Sequence, residues 1–143
     1  MLLRDILRGQ LRRLNRYAYA GAENEFSPAN IERAMEDLDE PLTDDLVRTS
    51  EKIYDALLLG KSYPETVGDG KMRSFNLKYI DWETPQNNVF HVTEEFAVDS
   101  QDRQHNARPD IVLSNNGIPF AVIECKASHI PVEEAVGQMI RNQ

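Results

Sequence analysis

An α/β domain is what this sequence predicts: a mixed central sheet built on strands within residues 74–98 and a hairpin within 109–126, flanked by helices at 44–59 and 131–142. Three observations lead there. Apolar residues recur at the three-to-four-residue spacing of an amphipathic helix in several windows. The period drops to two over Phe75, Leu77 and Tyr79, and again from Phe90 to Val98. Asn116-Gly117 then separates two short apolar runs, a strong short-range signal of a β-hairpin, because Asn-Gly tolerates the positive φ that tight turns need.

Leu3, Ile6, Leu7, Leu11 and Leu14 set the first helix within residues 2–19, and Arg4, Arg8, Arg12, Arg13 and Arg16 give it a basic face. The bland reading of that face is a solvated surface packed on the domain or a neighbour; the sharper one is a helix that contacts phosphate. Ser27-Pro28 starts a second helix with the stripe Ile31, Ala34, Met35 and Leu38, and Pro41 ends it. Thr43 caps a third, with Asp44 and Asp45 at the positive end of its dipole and Gly60 as its stop. Its stripe is Leu46, Val47, Ile53, Tyr54, Leu57 and Leu58, with Glu51 at the margin.

Residues 62–70 read as a loop, on Pro64, Gly68, Asp69 and Gly70. Ile80 and Trp82 carry the next strand on at opposite parity, which requires a bend or bulge. Residues 84–88 make a turn. The strand that follows is half-buried through Phe90 and Val92. Glu94 falls on its apolar parity, either as an inward-facing strand-end carboxylate or because the parity slips at a bulge. Residues 118–123 are almost wholly apolar, as a strand covered on both faces should be. Pro131 suits the first helical position, and Val132, Ala135, Val136, Met139 and Ile140 form a stripe to the last residue. A helix running to the end reads as a piece of a longer chain. Residues 1–42 form an N-terminal helical region and residues 43–143 the core.

The 143 residues suit one domain with a genuine core. No apolar run approaches the roughly 18 residues of a membrane span. Arg4, Asp5, Arg8, Arg12 and Arg13 interrupt the N-terminus where a secretion signal would be apolar. Cys125 is the single cysteine, so no internal disulfide forms, which fits a cytoplasmic protein. The net charge of −8 counts against nonspecific phosphate binding. A chain acting on nucleic acid would answer this by keeping its acids away from the site, as in MEDLDEPLTDD, by using carboxylates to hold a metal, or by leaving DNA to other domains.

The residues that carry chemistry are Asp110, Glu124 and Lys126. Positions two apart on a strand share a face, so Glu124 and Lys126 project together while Cys125 points away. The Asn-Gly turn folds the preceding strand back and brings Asp110 near Glu124. Two carboxylates suit a hard cation such as Mg²⁺, which acidifies a bound water and stabilises charge on a phosphate oxygen. Lys126 beside it can orient that water or assist its deprotonation. That set is complete for phosphodiester hydrolysis. Read as structure alone, these would be strand-end charges with Lys126 paired to Glu124. The upstream Pro-Asp, the intervening hairpin and the apolar run leading into the charges favour a functional cleft.

RPDIVLSNNGIPFAVIECK resembles the Pro-Asp…(Asp/Glu)-x-Lys nuclease motif, in the form found in the R subunit of type I restriction-modification enzymes. The similarity extends through IDWETPQNNVFHVTEEFAV upstream and EEAVGQMIRNQ downstream, over residues 43–143. It implies a restriction-endonuclease-like fold and a Mg²⁺-dependent endonuclease, with Mn²⁺ as a substitute, acting on double-stranded DNA. It also implies an ATP-driven motor farther along the polypeptide and a complex with specificity and methyltransferase subunits. Asp110 and Glu124 match the metal-binding acids and Lys126 the catalytic lysine. Gln138 matches the glutamine of a Q-x-x-x-Y element that positions DNA, although its fourth successor is Asn142 rather than tyrosine. Glu51 is either the helix-borne acid that some members place near the metal or a rim carboxylate. Related chains carry a glutamine near Glu95. Residues 1–42 match poorly.

Rival readings are a stand-alone repair or recombination nuclease, a non-catalytic module that keeps the nuclease fold, and a carboxylate-based sugar hydrolase. The last lacks aromatic density around its acids. His91, His105, His129 and Cys125 do not have zinc-ligand spacing. The sequence holds no Ser-His-Asp pattern, dinucleotide glycine fingerprint or G-x-x-x-x-G-K-[ST] loop, so ATP is expected only in the motor outside this chain.

Overall fold

Leu7 and Leu11, one turn apart on the first helix, are fully buried, and the fold is assembled around them. The computed structural model describes residues 2–39, 46–94, 109–125 and 136, with residues 46–49 described by backbone alone. The chain runs α1 (Arg4–Leu14), β1 (Arg16–Tyr19), β2 (Ala22–Glu25), α2 (Pro28–Leu38), α3 (Leu46–Leu59), β3 (Lys61–Thr66) and β4 (Met72–Leu77). A 3-10 turn (Pro85–Asn87) leads into β5 (Phe90–Glu94), β6 (Ile111–Asn115) and β7 (Ile118–Ile123). The α/β class is as the sequence predicts. Among the described residues, however, the strands form three antiparallel ladders, β1–β2, β3–β4 and β5–β6–β7, rather than one mixed sheet. The expectations at Pro41, Thr43, Asp44, Asp45 and Glu95 lie outside the described residues, as do those on the C-terminal helix apart from Val136, which is helical and exposed.

The core joins Leu7 and Leu11 to Ile31, Ala34 and Met35 of α2, to Tyr63, Leu77 and Tyr79, and to Ile118 of β7. It therefore draws on residues before and after position 43. Each of the buried Leu, Ile and Met side chains stabilises the fold by about 1.5–3 kcal/mol through burial. α2 starts as its sequence requires: the Ser27 hydroxyl accepts the Asn30 N–H, and Pro28 occupies a position where no backbone donor is needed. α3 stops at Gly60, whose φ of +77° and close approach to the Leu77 carbonyl leave no room for a Cβ.

Two segments differ from the sequence expectation. The first helix ends at Leu14, and residues 16–25 form a hairpin instead of a further turn and a polar linker. Ala20 and Gly21 adopt φ of 50° and 80°, the backbone of a two-residue hairpin turn. Tyr17 holds this hairpin down by stacking on Phe75, ring centroids 4.2 Å apart. Residues 61–66 are a strand rather than loop. Pro64 is tolerated because, among the described residues, β3 has a neighbour on one side only, so its missing donor breaks no second ladder. On its inward parity, Tyr63 donates to Asp37 and meets the Tyr79 hydroxyl, while Glu65 accepts from Ser27 and Asn30. Burial, then the Asp37 carboxylate, hold the Tyr63 hydroxyl well above its ordinary pKa, and burial pushes Tyr79 up to about 12.

The bend expected near Ile80 is a strand end. Beyond Leu77 the backbone is taken over by Asn15, whose side chain donates to the Leu11 and Lys78 carbonyls and accepts the Lys78 N–H. Ile80 turns inward and Trp82 outward. The basic face of α1 is largely committed within the domain. Arg4 pairs with Asp39, Arg8 with Glu32 and Asp5, and Arg16 with Glu25, while Arg13 donates to the Asn87 carbonyl. This supports the packed reading of that face over the phosphate-contacting one. Among the described residues no helix is long and apolar enough to cross a membrane.

Candidate active site

The β6–β7 hairpin is fixed at its turn. Asn116 and Gly117 take φ of 52° and 84°, as expected, but the turn is buried rather than solvent-exposed. The Asn116 side chain accepts the Val89 N–H and donates to the Tyr79 carbonyl and to Asn88 Oδ1. Gly117 accepts the Leu3 N–H, so the start of α1 lies across the turn. Every polar atom of the Asn116 side chain thus has a partner, which a residue with no exposure requires.

From that anchor the register decides which side chains meet at the open end. Asn115 pairs with Ile118 and Ser114 with Pro119, after which the ladder shifts and Leu113 pairs with Ala121, Val112 with Val122 and Ile111 with Ile123. Phe120 is the extra residue of this bulge. Without it, continuing the Asn115–Ile118 register would set Asp110 opposite Ile123. With it, the register continued one step beyond its last pair, Ile111–Ile123, points Asp110 towards Glu124. Both acids flank the open end of the hairpin just outside its strands, and both are half-buried. The Cys125 N–H donates to Asp110 Oδ2 at 2.6 Å.

Like charges facing each other across a sheet destabilise it unless something offsets them. Among the described residues neither carboxylate forms an ion pair. Hard oxygen donors of this kind fit a divalent cation. Glu51 is exposed on α3. Among the described residues no three His, Cys, Asp or Glu side chains gather as a metal-holding group, so Glu51 does not join the pair in one. Lys126 and Gln138 lie outside the described residues. The Cys125 thiol is free and exposed. Its backbone N–H carries no side-chain signature, so sequence reasoning had no means of singling it out.

The sheet around the hairpin is less covered than expected. Phe90 and Val92 are 63% and 66% exposed while His91 and Thr93 are half-buried, the reverse of the predicted parity. Phe120, Val122 and Ile123 are exposed as well, so β7 is not covered on both faces. The reason is positional: β5 and β7 are the outer strands of their ladder, and an apolar groove of about 670 Å³ lies between Phe90, Ile118 and Phe120 and the Tyr54, Leu57 and Leu58 side chains of α3.

The family model described as type I restriction enzyme R protein N terminus matches residues 1–143, including the N-terminal stretch that the motif resemblance left out. No curated protein and no solved structure matches the chain.

Proposed function

Because the chain belongs to the family of type I restriction enzyme R protein N termini, we propose that it is the Mg²⁺-dependent endonuclease domain of such an enzyme, hydrolysing DNA phosphodiester bonds with an activated water. The observation that supports this reading is the bulged register, which, continued one step past its last pair, Ile111–Ile123, would set Asp110 opposite Glu124. Two carboxylates so opposed would be costly as structure and useful as a cation site.

Asp110 and Glu124 would hold the cation, Mg²⁺ or Mn²⁺ in its place. Bound there, it would supply an acidified water and charge stabilisation on a phosphate oxygen. Lys126, two residues after Glu124, would orient the attacking water or take its proton. Gln138 would bond to the DNA backbone. Double-stranded DNA is the proposed substrate. The specificity and methyltransferase subunits are the proposed partners, and ATP would act only at a motor outside this chain. Family membership favours this setting over a stand-alone repair nuclease.

Calorimetric titration of Mg²⁺ and Mn²⁺ into the wild-type chain and Asp110→Ala tests the site. Binding should be present in the first and lost in the second; equal binding by both would place the metal elsewhere. In the intact enzyme, Lys126→Ala should stop cleavage while metal binding persists. A folded Lys126→Ala enzyme that still cuts would sink the assigned role.

A further inference from the structure

The last ladder pair of the hairpin is Ile111 with Ile123, yet the strands stay tied one step beyond it, through the Cys125 N–H on Asp110 Oδ2 at 2.6 Å. An aspartate at a strand end has two freely turning side-chain torsions, and this bond restrains both. The bond is charge-assisted, about twice as strong as one between neutral groups. It also sets the positive end of a peptide dipole beside the Asp110 carboxylate. With Oδ2 engaged, Oδ1 is the oxygen left to point away from the backbone of β7.

We propose that the backbone N–H of Cys125 is a positioning group that locks Asp110 so that it offers a cation one oxygen, Oδ1. This rests on the metal site proposed above and adds to it how one of its acids is held. The residue between the glutamate and the lysine then matters through its amide and not its thiol, which accounts for an exposed cysteine at the centre of the motif. Partners that orient a ligand in this way are commonly worth about tenfold to a hundredfold in metal affinity.

Amide hydrogen exchange by NMR on the metal-free 143-residue chain tests the lock directly. Cys125 lies two residues past the last ladder pair, so strand pairing does not protect its N–H. Its amide should exchange at least about tenfold more slowly than in an unstructured peptide, as expected of a donor held in a charge-assisted bond. That protection should survive in Asp110→Asn, which keeps an acceptor oxygen, and vanish in Asp110→Ala while the Val112 and Val122 amides are unchanged. Cys125→Pro removes the donor and should weaken Mn²⁺ binding by about tenfold to a hundredfold. Should that variant fail to fold, the aspartate pair of variants decides. A Cys125 amide exchanging at the free-peptide rate, or protected equally in Asp110→Ala, would overturn the lock. Protection in a wild-type chain that binds no Mn²⁺ would overturn the metal site and with it the positioning role, leaving a purely structural bond.

Discussion

Replacing Gly117 with alanine should destabilise the domain by about 2–5 kcal/mol, and the size follows from two separable causes. The residue has φ +84°, where a side chain is disfavoured by roughly 1–2 kcal/mol. A Cβ there would also lie 2.7 Å from the Leu3 carbonyl oxygen and 2.9 Å from the Leu7 nitrogen. Both are backbone atoms of the first helical turn and its cap, so no flexible side chain can swing away. Forcing extra volume into such a contact typically costs about 1–3 kcal/mol more. Gly21 supplies the control. It has φ +80° but nothing within 4 Å of a built Cβ, so Gly21→Ala should show the backbone cost alone. Urea unfolding followed by circular dichroism reads both. With a slope of about 2 kcal/mol per molar, Gly117→Ala should lower the midpoint by about 1–2.5 M and Gly21→Ala by clearly less. Equal losses in the two variants would refute the close packing of α1 on the hairpin turn.

Two further predictions follow from the same contacts. Asp81 is held at a pKa of about 2, first by the Asn87 side-chain amide, then by the Thr84 N–H and Lys78. Its folded value lies below the unfolded carboxylate value of about 3.9, so its contribution is complete above that pH and is lost as pH falls towards 2. Urea midpoints measured from pH 5 to 2 should fall less steeply for Asp81→Asn than for wild type, and parallel curves would contradict the assignment. Gly9 sits exposed in the middle of α1 with nothing within 4 Å of a built Cβ. Gly9→Ala should therefore raise stability by about 0.5–1 kcal/mol, read by the same unfolding experiment; a loss would mean that α1 is packed differently.

What the sequence made legible is what short-range chemistry specifies. Ser27-Pro28 names a helix start and Asn116-Gly117 a turn, and both stand where they were read. Two errors arose where one residue spoke too loudly. Pro64 suggested a loop, yet a proline fits a strand that, among the described residues, is paired on one side only. The apolar period of α1 suggested that the helix continued through Tyr17, although Tyr17 and Tyr19 already alternate and Gly21 follows as a turn residue. Other features had no local signal. Alternation shows that Phe90 and His91 face opposite ways, but not which face is covered. That depends on what stands across from the strand, and here Phe90 looks into a groove. The bulge at Phe120 was equally hidden, because it exists only as a difference in count between two strands.

That bulge explains why the candidate site is more than a matched motif. The hairpin is held at one end, where Asn116 and Gly117 bond to Val89, Tyr79, Asn88 and the start of α1. The one extra residue at Phe120 then shifts the register by one towards the open end, where the last pair is Ile111 with Ile123. The charge distribution bears on the same point. A net charge of −8 would repel DNA, and Arg4 and Arg8 of α1 and Arg16 of β1, which might have offset it, are tied to Asp39, Glu32, Asp5 and Glu25 within the domain. Affinity for a polyanion is thus not what these surfaces provide. On the proposed reading, a cation held by Asp110 and Glu124 would convert this acidic edge into a surface a phosphate can approach.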